Sequence, residues 1–267
     1  MFKSFYGMTF NPFDKSLPEN HAFRSKDHEQ MLSRLEYLKN THGIGLFTAP
    51  PGMGKTFALR CFSQSLNPNL YQLSYICLST VSVTEFYQQF CHELGLEFGS
   101  KKSLMFRNIQ ERLLHLLKEK RKTFILAIDE SQYLNIHLLR DIKMLMNTQF
   151  DSLDCFTLLL IGQPYLCSIL EKPVHEALKQ RIVIHYNYEG LSPEEAKNYI
   201  YSRIDLAGAA HSIIDEAAVH AVASFCQGTP RIINSVMTTA LIVGAQLKKN
   251  TIDTEVILSA CNSLSLS

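Results

Sequence analysis

The stretch Leu46 to Arg60, L-F-T-A-P-P-G-M-G-K-T-F-A-L-R, constrains this chain more than any other. The apolar run from Ile44 to Thr48 reads as a strand, the Pro/Gly-rich segment as a loop, and a helix opens at Lys55-Thr56. Strand, loop and helix in that order are the setting in which a backbone cradles phosphate. Gly52 and Gly54 carry no Cβ to obstruct an inward wrap, so successive N–H groups can face anionic oxygens. The positive end of the following helix points at the same place. In this pattern Lys55 reaches the β- and γ-phosphates of a nucleotide and the Thr56 hydroxyl holds Mg2+, with Pro51, Met53 and Phe57 flanking the nucleotide. One position departs from G-x-x-x-x-G-K-[ST]: the first glycine is Ala49, the smallest change available.

With 46% hydrophobic and 19% charged residues over 267 positions, the chain has apolar material for a sizeable core and is not a disordered segment. No apolar run approaches the roughly 18 residues that span a bilayer. The opening M-F-K-S-F-Y-G lacks the apolar core of a signal peptide, so no membrane partner is expected. Seven scattered cysteines without C-x-x-C suit reduced thiols in a cytoplasmic protein. The histidines form no H-x-x-x-H pattern, which points away from a histidine-bound metal. Formal net charge is only +1, yet residues 100–122 hold eight basic side chains against two acidic ones, a local +6 that leaves −5 for the remainder.

Patterning then alternates strand and helix. The lead-in F-Y-G-M-T-F-N-P-F-D precedes a helix from about Lys26 to Lys39, with Met31, Leu35 and Leu38 on one face. Its aromatics suit either an adenine pocket or simple packing, and Arg24 to His28 could meet a base edge. Strands are expected at Tyr71–Leu78, Thr123–Ile128, Phe156–Ile161 and Ile182–Tyr188. Helices are expected at Thr84–Leu94 (after Ser79-Thr80-Val81-Ser82), Ser103–Lys118, Ile136–Asn147 and Tyr165–Leu170. Such alternation implies a parallel sheet sandwiched by helices, with ligands beyond the carboxyl ends of the strands. From Ser192-Pro193-Glu194-Glu195, a capping box with Pro at the first helical position, only helices follow. The expected organisation is a lead-in over 1–40, an α/β nucleotide-binding domain over 41–190 and a small all-helical lid over 191–267.

The run F-I-L-A-I-D-E supplies a second nucleotide signature, with Asp129 orienting Mg2+ and Glu130 polarising the attacking water. Gln163 lies where an apolar run meets the ligand edge. It either positions water and reads the γ-phosphate or is a turn residue before Pro164. Arg181, just before the fifth strand, is either an arginine that neutralises transition-state charge, supplied to a neighbouring subunit, or a surface residue. Arg231 opens a helix, where a cation is mildly unfavourable, so it serves the nucleotide or a salt bridge. In the basic segment, Lys101, Lys102 and Arg107 could face a DNA backbone or form an ordinary solvated helix face.

The ordered set F-Y-G-x-x-x-N-P-F, A-P-P-G-M-G-K-T, I-D-E-S-Q, I-G-Q-P, L-K-Q-R-I and G-T-P-R-I-I-N resembles the ExeA-type AAA+ ATPases over nearly the whole chain. That resemblance implies the P-loop NTPase fold with a helical lid, sensor 1 at Gln163, an arginine finger at Arg181 and sensor 2 at Arg231. Ala49 and Ser131 are mild departures from the family pattern. Secretion members carry a transmembrane helix and a cell-wall-binding domain after the ATPase; neither precedes Ser267, so the stand-alone, transposon-encoded type similar to TnsC is expected. Helpers of that type oligomerise on duplex DNA with ATP, as rings or helical filaments, and direct a transposase. The alternatives are a secretion or envelope-assembly ATPase acting through protein partners, and a helicase loader.

Overall fold

Strands that are apolar at every position need cover on both faces, and three of the five here are of that kind. The computed structural model describes residues 2–77, 81–148 and 153–264. In it β1 (Gly43–Thr48) and β4 (Thr157–Gly162) are buried throughout, and β3 (Thr123–Ile128) at all but its first position. β2 (Tyr71–Ile76) and β5 (Ile182–Asn187) are part-exposed edge strands. All pair in parallel in the order β2-β3-β4-β1-β5, so their carboxyl ends share one edge. There Thr48 lies between Gly162 and Asn187, and Ile76 is opposite Ile128. The expected end of the second strand, Leu78, and the Ser79-Thr80 lead-in to the next helix lie outside the described residues.

The chain divides into two compact units. An α/β unit comprises Gln30–Pro51 and Ala58–Tyr188. A helical unit comprises the lead-in through Glu29, Gly52–Phe57 and the chain from Glu189 onward.

The first helices in chain order are α1 (Phe2–Phe5), α2 (Lys26–Thr41), α3 (Lys55–Ser65), α4 (Val83–Glu93), α5 (Lys102–Lys118), α6 (Ile136–Met146), α7 (Tyr165–Leu170) and α8 (Glu176–Lys179). In the α/β unit, α4 sends Phe86 and Phe90, four residues apart, into the core. The Phe90 ring centroid is 5.8 Å from Phe124 and 6.1 Å from Phe156. Truncating such a ring to alanine costs about 3–5 kcal/mol. Met31, Leu35 and Leu38 of α2 are buried as the spacing predicts. Gly45 of β1 admits Leu38, which a Cβ there would strike. The start of α4 is held by the capping box of Ser82 and Glu85.

In the helical unit, α9 (Pro193–Leu206), α10 (Glu216–Cys226), α11 (Pro230–Gln246) and α12 (Thr254–Leu264) enclose Val222, Ile233, Met237, Leu241 and Ile257. The capping box read at Ser192 and Glu195 is formed. The lead-in contributes Tyr6, Met8 and Phe13 to this helical core. The physical reason is local. Gly244 of α11 lacks a Cβ, so the Tyr6 ring can lie against it, and the Tyr6 hydroxyl donates to the Lys249 carbonyl at 3.0 Å. No helix among the described residues is long and apolar enough to cross a membrane.

Candidate functional site

The loop after β1 does what its glycines allow. Gly52 and Gly54 hold φ of 86° and 95°, a region that side chains other than hydrogen rarely enter. Ala49 is not among the left-handed residues; it is fully buried and its N–H donates to the Gly162 carbonyl at 3.1 Å. A methyl group therefore fits where the motif has its first glycine. Lys55 and Thr56 open α3, Lys55 buried and Thr56 exposed.

Within the helical unit the loop meets the start of α11. The Arg231 N–H donates to the Gly52 carbonyl at 3.2 Å. A Cβ on Gly52 would lie 2.7 Å from the Arg231 Cβ and 3.3 Å from the Thr229 Cγ2. The approach is set up by two successive left-handed residues, Gln227 and Gly228, after α10. Gly228, without a Cβ, lies on the Leu191 backbone and accepts its N–H at 2.9 Å. Thr229 then precedes Pro230 at the first helical position, which places Arg231 in the first turn. Arg231 has no ion pair with a described carboxylate, so the salt-bridge alternative finds no partner here.

His28 and Phe57 also lie together in this unit, ring centroids 6.1 Å apart. Burial lowers the His28 pKa, keeping the imidazole neutral beside that ring. Asp27, which sequence reasoning did not single out, is buried and accepts the N–H groups of Glu189 at 3.1 Å and Gly190 at 2.8 Å.

In the α/β unit, Asp129 follows β3 and its N–H extends the ladder to the Ile76 carbonyl at 2.8 Å. Its carboxylate is gripped twice. The Tyr75 hydroxyl donates to Oδ2 at 2.8 Å, and the Glu130 N–H to Oδ1 at 2.9 Å. Burial and the hydrogen bond to Asp129 raise the Tyr75 pKa, so the phenol stays a donor. Glu130 itself is left-handed, with φ 50° and ψ 38°. Such a conformation costs a non-glycine residue about 1–2 kcal/mol.

The turn Ser131–Tyr133 that follows brings Gln132 back under the strand ends. Gln132 donates from Nε2 to the Glu130 carboxylate and accepts the Gln163 N–H on Oε1 at 3.1 Å. Gln163 thus sits at the end of β4, beside the acidic pair, as the strand order requires. Arg181 follows α8. Its guanidinium pairs with Asp154 at 3.5 Å and donates to the Asn147 side chain, so it is held within its own chain. Gln132 and Tyr75 were not found from sequence. The only signal for Gln132 was its place in I-D-E-S-Q, and Tyr75 looked like any strand aromatic.

The basic segment is split by its contacts. Lys102 pairs with Asp141 at 2.5 Å and lies over the Tyr87 ring, and Arg107 is 3.9 Å from Glu111. Lys101 has no ion pair among the described residues. All three are exposed, as a phosphate contact requires, but Lys102 is engaged by Asp141 within its own fold.

The residues present fit a magnesium nucleotide. The left-handed glycines allow the loop to wrap, α3 starts directly behind it, and Thr56 is exposed in its first turn. Among the described residues no three histidine, cysteine or carboxylate side chains cluster as a metal cage. Magnesium at phosphates does not need one, because water and phosphate oxygens fill most of its coordination shell.

Comparison with known proteins agrees with this picture. A family model described as an AAA domain matches residues 38–170. General secretion pathway protein A of Aeromonas hydrophila is 30% identical over 245 residues, covering 91% of this chain and 44% of that protein. The chain therefore spans less than half the length of that relative. Among solved structures, Cdc6p of Pyrobaculum aerophilum superposes with a TM-score of 0.73 at 14% identity, covering 96% of this chain and 71% of that one. The Aeropyrum pernix ORC1 protein in complex with DNA gives 0.68 at 18%, covering 93% and 68%. At such identities the structural likeness speaks for the fold alone. This chain has the AAA+ P-loop NTPase fold, matches an AAA-domain family model over residues 38–170 and is similar to General secretion pathway protein A.

Proposed function

We propose that this chain is a cytoplasmic, magnesium-dependent ATPase that hydrolyses ATP to ADP and phosphate where copies of itself meet. In this proposal it assembles on duplex DNA as a ring or helical oligomer and directs a transposase to that DNA. The observation that carries the ATPase reading is the left-handed wrap at Gly52 and Gly54 ahead of α3, in a chain whose β3 ends in a gripped Asp129 and a strained Glu130. Bound magnesium supplies charge neutralisation at the phosphates. The loop from Pro51 to Phe57, through the N–H groups of Gly52 to Phe57, and the Lys55 ammonium bind the phosphate chain, and Thr56 and Asp129 hold the metal. Glu130 takes the proton of the attacking water, Gln163 senses the γ-phosphate, and Arg231 reaches from the lid helix. Arg181 serves a neighbouring copy, which requires it to leave Asp154 and Asn147.

Lys101 and Arg107 support the DNA reading, since exposed cations at one helix start suit sequence-independent phosphate contacts. The second reading is an ATPase that drives secretion or envelope assembly through protein partners, favoured by the similarity to General secretion pathway protein A. ATP-dependent association with random duplex DNA separates the two. Retention on DNA with ATP at low salt, lost as salt rises, supports the first. ATP-dependent oligomers that ignore DNA at low salt sink it in favour of the second. Glu130→Gln should keep ATP binding, abolish turnover and lengthen the life of the oligomers; unchanged hydrolysis would remove Glu130 from its role.

A further inference from the structure

Gln132 is bonded at both ends of its amide. Nε2 donates to Oε2 of Glu130, and Oε1 accepts the backbone N–H of Gln163 at 3.1 Å. The orientation of the amide is fixed by its partners. The reverse orientation would set a carbonyl oxygen against a carboxylate and an NH2 against an N–H donor. The Gln132 side chain is buried and both bonds are partly so, while Glu130 itself is exposed. β4 is shaped to receive it: a Cβ on Gly162 would fall 2.6 Å from Oε1. The left-handed Glu130 and the turn Ser131–Tyr133 fold Gln132 back toward β4, and the Ser131 hydroxyl anchors that turn by donating to the Ile128 carbonyl at 2.7 Å. Four consecutive residues, Glu130 to Tyr133, thus bend the chain so that one amide joins the ends of two neighbouring strands.

We propose that Gln132 is a positioning residue that fixes the Glu130 carboxylate to the end of β4, so that Gln163 and Glu130 move together. The inference rests on the ATPase reading, in which Glu130 activates water and Gln163 meets the γ-phosphate. A phosphate contact that draws the Gln163 backbone moves the Gln132 carbonyl with it, and the opposite end of the same planar amide turns the Glu130 carboxylate. Gln132 touches neither nucleotide nor water. It couples presence of the γ-phosphate to the aim of the base, which restricts hydrolysis to a filled site. Misaiming a general base by about 1 Å typically lowers turnover by about a hundredfold.

The test compares wild type with Gln132→Glu, Gly162→Ala, the double variant and Glu130→Gln. Binding of a fluorescent ATP analogue, steady-state kcat and KM, and thermal unfolding are measured for each. Gln132→Glu keeps an acceptor for the Gln163 N–H but replaces the donor to Glu130 with a repelling carboxylate. Its kcat is expected to fall about tenfold to a hundredfold with analogue affinity unchanged, while the melting temperature falls because a second carboxylate enters a buried position. Gly162→Ala displaces Oε1 and should lower kcat similarly, and the double variant should fall no further than the worse single one. Glu130→Gln inactive with Gln132→Glu turning over at the wild-type rate overturns the proposal while leaving the ATPase reading intact. Additive losses in the double variant overturn it as well. Wild-type turnover in Glu130→Gln removes both. Should Gln132→Glu unfold, Gly162→Ala decides alone: an unchanged kcat in a folded variant refutes the coupling.

Discussion

Replacing Gly52 with alanine separates two costs that the structure assigns to one position. Gly52 holds φ 86°, and placing an L-residue there costs about 1–2 kcal/mol in backbone energy. The new Cβ would also sit 2.7 Å from the Arg231 Cβ and 3.3 Å from the Thr229 Cγ2. Neither is the far end of a flexible side chain, so the first turn of α11 must retreat. The hydrogen bond from the Arg231 N–H to the Gly52 carbonyl goes with it, worth about 1 kcal/mol. Together the two costs reach about 2–3 kcal/mol, or roughly 30- to 150-fold in nucleotide affinity.

Gly54 provides the comparison. It holds φ 95°, but a Cβ there meets nothing within 4 Å. Gly54→Ala should therefore carry the backbone cost alone, about tenfold in affinity. Titration of a fluorescent ATP analogue with Mg2+ measures both variants. The expected result is a further loss of about fivefold in Gly52→Ala, because the free loop relaxes away from α11 and nucleotide binding must restore the wrap. Equal losses in the two variants would refute the argument that Arg231 packs on the loop.

Arg181→Ala removes a partly buried pair with Asp154 and a bond to Asn147, so stability should fall by no more than about 1 kcal/mol. If the arginine serves a neighbour, ATPase activity should vanish with ATP binding intact, and mixing Arg181→Ala with Lys55→Ala should restore part of it. Mixtures that stay inactive would argue against action across an interface. Lys101→Ala should weaken DNA retention and reduce its salt dependence without changing the melting temperature, whereas Lys102→Ala should lower the melting temperature by breaking the contact with Asp141. Equal melting temperatures for the two variants would count against that distinction.

Acid should also destabilise the fold. Burial lowers the pKa of both His28 and His42 from the ordinary 6.5. The unfolded chain then binds more protons just below pH 6.5, so the histidine contribution is present above that pH and is lost as pH falls toward the folded values. Urea midpoints at pH 7.5 and 5.5 check this. His28→Asn and His42→Asn should each flatten the dependence, and an unchanged slope in both would refute it.

Much of the fold follows from short-range signals. A strand buried on both faces is apolar at each position, and Thr123–Ile128 has the same bounds in sequence and structure. The loop glycines, the Ser192 capping box and the α2 face of Met31, Leu35 and Leu38 also express themselves within a few residues. The site resisted where its bonds join distant segments. Gln132 reaches Gln163 across 31 positions, and Tyr75 reaches Asp129 across 54. Neither pairing has a periodicity or a spacing to betray it, because strand order brings those ends together. For the lead-in aromatics the sequence left an adenine pocket and simple packing both open, and the notch at Gly244 shows Tyr6 packing in the helical core.

By itself the sequence determined that a phosphate loop, an acidic strand end and a helical tail occur in this order. Each is a property of a few consecutive residues: backbone freedom, apolar run length or capping. Only the tertiary structure decided what holds those parts. It put Arg231 on the Gly52 carbonyl, Tyr75 on Asp129, and one buried amide between Glu130 and the end of β4. Those contacts depend on packing between segments far apart in the chain, which no local pattern records.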